Sequence, residues 1–425
     1  MTESNMDRLA DKPHVVVVGA GIVGVASAIW LQRDGYPVTI LDREGPAAGT
    51  SYGNAGVLAS NSIIPVTTPG LWKKAPGMLF DPDGPLFLRW PYVPRMVPWL
   101  ASYMRHCRPA EVKRIASAIA GVVGDSLSEH QQLAQGTPAE RWITPSDYVF
   151  AYADRAAFDG DAFGWSVRQA HGYTWDELDA DAFHTYDPTF QDVAEFGVRC
   201  PDHGHIKDPG RYVQDLAEHF EGQGGTVRKA EVIDVARADG QVTGVVTADG
   251  VVACDRVIVA TGAWSKPLAR ALGVNVPLES ERGYHLELLE PSIMPRSPTA
   301  IVSGKFVMTP MDGRLRVAGL VEFGGLNAPA SKGPIRLLER AVAKTLPGLT
   351  WSETKSWMGH RPAPIDSIPV IGPAPGVDGA YMGFGHHHIG LTAGPRTGRL
   401  LAAMIAGRRP NIDIEPYAPA RFAIR

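Results

Sequence analysis

"HVVVVGAGIVGVASAIWLQRDGYPVTILDREG", residues 14–45, decides how this chain of 425 residues folds. Its β-branched opening, His14 to Val18, has the composition of a strand buried on both faces. Gly19, Gly21 and Gly24 follow in G-x-G-x-x-G spacing. The first glycine permits a tight turn, the second lets a pyrophosphate approach the backbone, and the third lets the next helix pack closely on the strand. Orphan N–H groups of the helix start, around Ile22 and Val23, then face the phosphate charge. A second strand, Pro37 to Leu41, ends at Asp42, 18 residues after Gly24, where a carboxylate can accept hydrogen bonds from ribose hydroxyls. Arg43 is counted with it as a nucleotide contact. The uncharged run Val15 to Leu31 approaches the length of a membrane span, but its regularly spaced glycines suit strand, turn and helix better. The motif alone does not choose between NAD and FAD.

The length predicts two domains or one two-lobed enzyme. With 41 Lys+Arg against 45 Asp+Glu there is no broad basic face for a phosphate backbone, so nucleic acid is excluded as a partner and small molecules are favoured. Cys107, Cys200 and Cys254 are odd in number, far apart and outside any CxxC spacing, which argues against disulfide frameworks and zinc ribbons and fits a reducing cytoplasm. The start, "MTESNMDRLADKP", lacks a basic residue cluster leading into an apolar run, so a cytoplasmic location is expected.

Downstream, "GTSYGNAGVLASN", residues 49–61, is small and polar where an NAD-binding chain would continue its regular winding. Such a loop can set the amides and side chains of Ser51, Asn54, Ala55, Gly56 and Val57 against a second phosphate or a flat ring; a plain surface loop is the alternative. The segment 224–265 is a ladder of short alternating strands, one carrying Val232, that closes with a buried-type strand, Arg256 to Ala260, and the turn Thr261-Gly262-Ala263-Trp264. That turn lets backbone pass close to a ligand. "KFVMTPMDGRLRVAGLVEF" reads as two strands joined at Asp312-Gly313, a hairpin signal that puts an antiparallel sheet in the second domain. "PAEVKRIASAIAGVVGDSLSEHQQLA" places Pro109 at a first helical position with one apolar face.

Taken together, "VVVVGAGIVGV…LDRE", "TSYGNAG", "ATGAWS", "ERGYHLEL", "KFVMTPMDGRLRVAG", "GHRPAPIDSIPVIG" and "GHHHIGLTAGPRTGRLLA" resemble the FAD-dependent amino-acid oxidoreductases of the D-amino-acid oxidase, glycine oxidase and sarcosine oxidase superfamily. Within it the chain looks most like bacterial D-amino-acid dehydrogenases, almost end to end. The resemblance implies an α/β fold of two domains: a Rossmann-like FAD-binding domain from residues 1–60, 205–264 and 355–425, and a substrate domain with a mixed or antiparallel sheet plus helices from 61–204 and 265–354. It implies noncovalent FAD, since no cysteine lies near the flavin segment after residue 355.

The consecutive His386, His387 and His388 invite a metal reading, but neighbouring residues on an extended chain point to alternate faces and rarely share an ion. No metal is expected. Thr392 can cap the following helix, Pro395 suits its first turn, and Leu400, Leu401, Met404 and Ile405 form its stripe. By resemblance, the positive end of that helix lies under the flavin pyrimidine edge, where amides of Gly390, Leu391 and Thr392 stabilise negative charge. The histidines then line the pocket, with His388 taken as nearest the substrate.

"GHRPAPIDSIPVIG" resembles the family's G-x-R-P, which implies that Arg361, after Gly359, holds the substrate carboxylate with its planar fork; a surface salt bridge is the bland alternative. Tyr284 of "ERGYHLEL" is assigned near the substrate, against a core tyrosine with its hydroxyl satisfied. Glu322 is read first as a structural ion pair. The implied reaction is hydride transfer from the substrate Cα to flavin N5, giving an imino acid that hydrolyses to a 2-oxo acid and ammonia. Electrons then pass to a quinone or carrier. Other readings are a dehydrogenase of a cyclic substrate such as a D-hydroxyproline, an oxygen-using glycine or sarcosine-type oxidase, a flavin subunit of an electron-transfer complex, and an NAD-dependent dehydrogenase. The mix of Trp72, Phe80, Phe87, Trp90 and Trp99 with Lys73, Lys74, Arg95 and Arg105 suits peripheral contact with an inner-membrane surface, or a pocket lid.

Overall fold

The computed structural model describes residues 12–71, 77 and 84–424. The valines Val15–Val18 are fully buried and pair in parallel with Val38–Asp42 on one side and Arg256–Val259 on the other. This is the central position that an all-apolar strand needs. The sheet continues to six strands, with Thr226–Lys229 beyond Val38–Asp42, and Ala380–Phe384 and Val370–Pro373 beyond Arg256–Val259. The run Val15 to Leu31 therefore divides into a strand and the helix Ile22–Arg33.

That helix packs against Gly390–Ile405, and small residues set their separation. A Cβ on Gly398 would lie 2.6 Å from the Ser27 backbone nitrogen, and one on Gly394 would lie 2.8 Å from the Ile22 side chain. Two helices that meet at glycines bring their backbones together and bury their flanking Ile, Leu and Ala side chains in one core.

The second sheet has ten strands and is mixed. Along its main path run Glu353–Pro364, Leu278–Leu289, Arg314–Phe323, Phe306–Met311, Thr299–Ile301, Ile143–Tyr152, Phe196–Ile206 and Val57–Leu58. The hairpin expected at Asp312-Gly313 is present, with Gly313 at φ +65°. Val232–Ala238, Gln241–Thr247 and Gly250–Ala253 form a separate three-stranded meander.

Two segments lie elsewhere than the expected division put them. Pro109–Val123 begins at its proline, but it stops before Gly124 and a second helix, Ser126–Ala134, follows. Ile115, Ile119, Val122 and Leu133 then join the core of the two glycine-packed helices rather than the second sheet. Conversely, Glu353–Pro364 pairs along its whole length with Leu278–Leu289 and is an edge strand of the ten-stranded sheet. An apolar helix face or an alternating strand shows that it is buried, not against what.

Trp72, Lys73, Lys74 and Phe80 lie outside the described residues. Of the rest of that aromatic segment, Trp90 is 64% exposed and Arg95 and Arg105 face solvent, whereas Trp99 stacks on Tyr103 in the core and Phe87 is half-buried. Among the described residues no helix is long and apolar enough to cross a membrane.

Candidate active site

A cavity of about 760 Å³ runs from the glycine loop to the ten-stranded sheet. At the first end, Gly19 takes φ +109°, and a Cβ there would stand 2.5 Å from the Ala260 carbonyl. A Cβ on Gly24 would be 1.9 Å from the Gly19 carbonyl, so the third glycine is what allows the helix to touch the strand. Gly21, Ile22 and Val23 line the cavity. Asp42 accepts hydrogen bonds from Ala20 N–H on one oxygen and from Glu44 and Gly45 N–H on the other, which fixes its carboxylate at the cavity wall. Arg43 lies 4.2 Å over the Trp264 ring, and both residues line the cavity beside Thr261, Gly262 and Val232.

The loop 49–57 forms one wall of the middle. Ser51 Oγ accepts from Ile22 N–H at 3.0 Å, capping the first helix from outside its own sequence, and Asn54 Oδ1 accepts from Gly56 N–H at 2.9 Å. Ala55 and Val57 line the cavity as well, while Gly56 is held at φ +81°. Trp357, which sequence reasoning passed over, fills the space over two glycines: a Cβ on Gly53 or on Gly359 would each sit 1.9 Å from its ring. Its ring is stacked on His285 at 5.2 Å.

At the far end Arg361 meets the histidine loop. Arg361 Nη1 donates to Glu281 Oε1 at 2.9 Å and to the Leu320 carbonyl at 3.0 Å. Its Nε and Nη2 have no hydrogen-bond partner among the described residues, and the residue lines the cavity. The guanidinium lies flat on Gly283, where a Cβ would be 2.5 Å from Arg361 Cζ. The second Glu281 oxygen is bonded to His387 Nε2 at 2.5 Å. Burial would raise the Glu281 carboxyl, but His387 and then Arg361 outweigh it and hold it down at about 2.

The three histidines take three different roles. His386 turns inward, with Nε2 on Thr397 Oγ1 at 2.9 Å, and burial presses it down to about 4. His387 sits in the left-handed region at φ +50°, pinned by its N–H on the Pro362 carbonyl and its ring on Glu281. His388 is the most open of the three; its Nδ1 is 3.2 Å from His387 Nδ1, and burial first, then its neighbours His387 and Arg361, depress it to about 3. Among the described residues no group of three His, Cys, Asp or Glu side chains is placed to hold a metal ion.

Tyr284 borders the cavity, but its hydroxyl points away from Arg361. It donates to Glu322 Oε2 at 2.6 Å and accepts from Ser331 N–H, and Arg282 pairs with the same Glu322 in full burial. Alternation explains this: Glu281 and Gly283 face Arg361, so Arg282 and Tyr284 face the other side of their strand. Tyr148 and Phe150, not singled out in the sequence, line the cavity from the strand Ile143–Tyr152.

The helix next to the histidines begins at Gly390, two residues before the expected Thr392 cap, so Pro395 stands inside it. Thr392 Oγ1 donates instead to the Val57 carbonyl. Pro395 has no N–H for the Leu391 carbonyl four residues back. His130 Nε2 takes its place at 2.9 Å, with its other ring nitrogen 2.8 Å from the Tyr212 hydroxyl. The amides of Gly390, Leu391 and Thr392 belong to a first turn, whose N–H groups have no partner within the helix, and these residues line the cavity.

These features suit a long dinucleotide with a flat ring: a positive-φ glycine cradle at one end, a helix start and a cationic fork at the other, and a cavity well within the range of cofactor sites. They define a class, the flavin-dependent oxidoreductases that act on small substrates. The family model described as "FAD dependent oxidoreductase" matches residues 14–404, and the chain belongs to that family. It is 38% identical to a D-amino-acid oxidase of Bradyrhizobium diazoefficiens over 96% of this chain and 99% of that protein. It is 30% identical to a D-amino acid dehydrogenase of Allorhizobium ampelinum over 96% of this chain and 98% of that one. Among solved structures, glycine oxidase from Geobacillus kaustophilus superposes with a TM-score of 0.74 at 19% identity, covering 96% of this chain and 99% of that one, a likeness of fold.

Proposed function

We propose that this chain oxidises a D-amino acid to its imino acid, which water converts to a 2-oxo acid and ammonia. The observation that carries the reading is the Arg361 fork: one nitrogen is tied to Glu281 and Leu320, and the Nε–Nη2 edge is left at the cavity wall beside the histidine loop. Two parallel N–H groups on a planar cation match a carboxylate, and a guanidinium anchored from behind holds it in one orientation. The D configuration rests on the names of the two curated relatives.

Gly19, Gly21, Ile22, Val23, Asp42 and Arg43 would hold the nucleotide part of FAD, with Ser51 to Val57, Val232, Thr261, Gly262 and Trp264 along its length. Gly359, Gly390, Leu391 and Thr392 would bound the flavin, and the helix start would favour negative charge at its edge. FAD, when bound, supplies the acceptor for the two electrons leaving the substrate Cα. Arg361 fixes the carboxylate, and the apolar walls around Phe150, Val307 and Ala300 exclude water. In this reading Tyr284 braces the strand through Glu322, and His388 is the histidine that meets substrate.

Anaerobic bleaching of the purified yellow protein by paired D- and L-amino acids, prolines included, tests the proposal. A D-amino acid should bleach it, and Arg361→Met should raise the concentration for half-maximal bleaching about 100-fold with flavin content unchanged. Unchanged affinity in the variant overturns the carboxylate role. The acceptor is read from the same preparation: the relative named as an oxidase favours oxygen and the one named as a dehydrogenase a carrier or quinone, so peroxide yield against dye reduction decides.

A further inference from the structure

We propose that His388, His387 and Glu281 form a proton relay that receives the proton of the substrate's ammonium group. The inference rests on the reading of Arg361 as the carboxylate clamp, because a carboxylate held there puts an α-amine one carbon away in the same cavity that His388 lines.

An amino acid at neutral pH carries its amine as ammonium, and a hydride leaves Cα readily only when the nitrogen lone pair is free. Something must take that proton. Arg361 is a permanent cation and Glu281 lies behind it, 3% exposed and absent from the cavity wall. His388 alone would be a poor acceptor, since a second positive charge in that buried position is disfavoured by burial and by its neighbours. Its partner removes the difficulty.

The hydrogen-bond chain gives the relay its tautomers. The ionised Glu281 carboxylate only accepts, so His387 carries a hydrogen on Nε2. In the relay His387 rests with its Nδ1 lone pair free, and His388, 3.2 Å away through its own Nδ1, donates to it. That leaves His388 Nε2 with its lone pair, and it has no partner among the described residues.

The step then balances. The N–H bond of the substrate ammonium breaks as an N–H bond forms at His388 Nε2; the His388 Nδ1–H bond breaks as one forms at His387 Nδ1. The amine becomes neutral, His388 ends neutral in its other tautomer, and the positive charge rests on His387 against the Glu281 carboxylate. No electrons move. The charged groups around the pair are Glu281 and Arg361 from two paired strands; His386 is turned to Thr397, and Tyr103 stands behind Glu281 on the helix Val93–Met104. His387 is held in its left-handed backbone conformation by Pro362, next to Arg361, so the clamp and relay are built as one piece.

The test is the rate of anaerobic flavin bleaching by a D-amino acid across about pH 6 to 10 in the holoenzyme, wild type against His388→Gln and His387→Asn. Asparagine is chosen because it tolerates positive φ. The relay predicts a rate at pH 7 about 100-fold lower in both variants, recovering as the free amino acid's own ammonium titrates, with benzoate binding, read from flavin absorbance, within about threefold of wild type in His388→Gln. A pH-independent loss, or variants that keep the wild-type profile, overturns the relay. Should the variants not fold, 15N NMR of wild-type holoenzyme decides: hydrogen on Nδ1 of His388 and Nε2 of His387 supports it, and hydrogen on Nε2 of His388 overturns it. If no amino acid bleaches the wild type at all, the functional reading has failed instead.

Discussion

The two ends of the cavity are built by opposite means. At the glycine loop the deciding contacts close over short distances in sequence: Gly24 on Gly19, Ala20 N–H to Asp42 and Ile22 N–H to Ser51, 29 positions away. At the Arg361 corner Glu281 reaches Arg361 across 80 positions and His387 across 106. The difference teaches where sequence carries geometry. Contacts closed by one strand, one turn and one helix impose a spacing of residues, whereas contacts between distant strands impose only residue types.

Substitutions that add one to three carbons at a glycine probe that contrast directly. Gly24→Val should have the largest effect, because its Cβ meets a backbone carbonyl at 1.9 Å that no side-chain rotation can relieve. We expect a cost of about 3 kcal/mol or more and loss of bound flavin, read from absorbance per protein and from the melting temperature. Retention of a full flavin complement would show that the helix need not touch the strand there. Gly283→Ala should act at the other end only. Its methyl displaces the Arg361 guanidinium, so flavin is retained while the amino-acid concentration for half-maximal bleaching rises about tenfold. Equal loss of flavin in both variants would erase the distinction between the two ends.

His130 gives the smallest and most conditional effect. Burial holds it at about 4, below the ordinary value near 6.5, so the neutral ring is favoured in the fold. Its contribution is therefore complete above about pH 6.5 and declines as pH falls toward 4, by about 3 kcal/mol in total. Melting curves between pH 4 and 8 should show that decline in the wild type and a flatter one in His130→Gln. Parallel curves would show that this ring does not set the acid limb.

The same contrast explains what was legible. The Rossmann-like half, its glycine loop and the hairpin at Gly313 could be read because each rests on a local pattern. Arg361 was found through its G-x-R-P neighbours, but its orientation depends on Gly283 and Glu281, which carry no signature of their own. Glu281 stood in the quoted "ERGYHLEL" and was passed over for Tyr284, because strand alternation tells which residues share a face and not which face meets the ligand. Trp357 was unreadable for a related reason: its place is marked only by two glycines, one of them 304 positions earlier in the chain. The start of the last long helix was misjudged because proline normally marks a first turn, and the donor that excuses it inside the helix comes from another element.

That borrowed donor bears on the order of assembly. Trp30 N–H reaches the Pro395 carbonyl across 365 positions, and Gly398 leaves room for the backbone of Ser27, which a Cβ there would meet at 2.6 Å. During synthesis the helix Ile22–Arg33 must therefore wait, its apolar flank uncovered, until residues 390–405 have left the ribosome and met both it and His130. A nascent chain halted before residue 390 is therefore expected to keep the apolar flank of Ile22–Arg33 exposed to water.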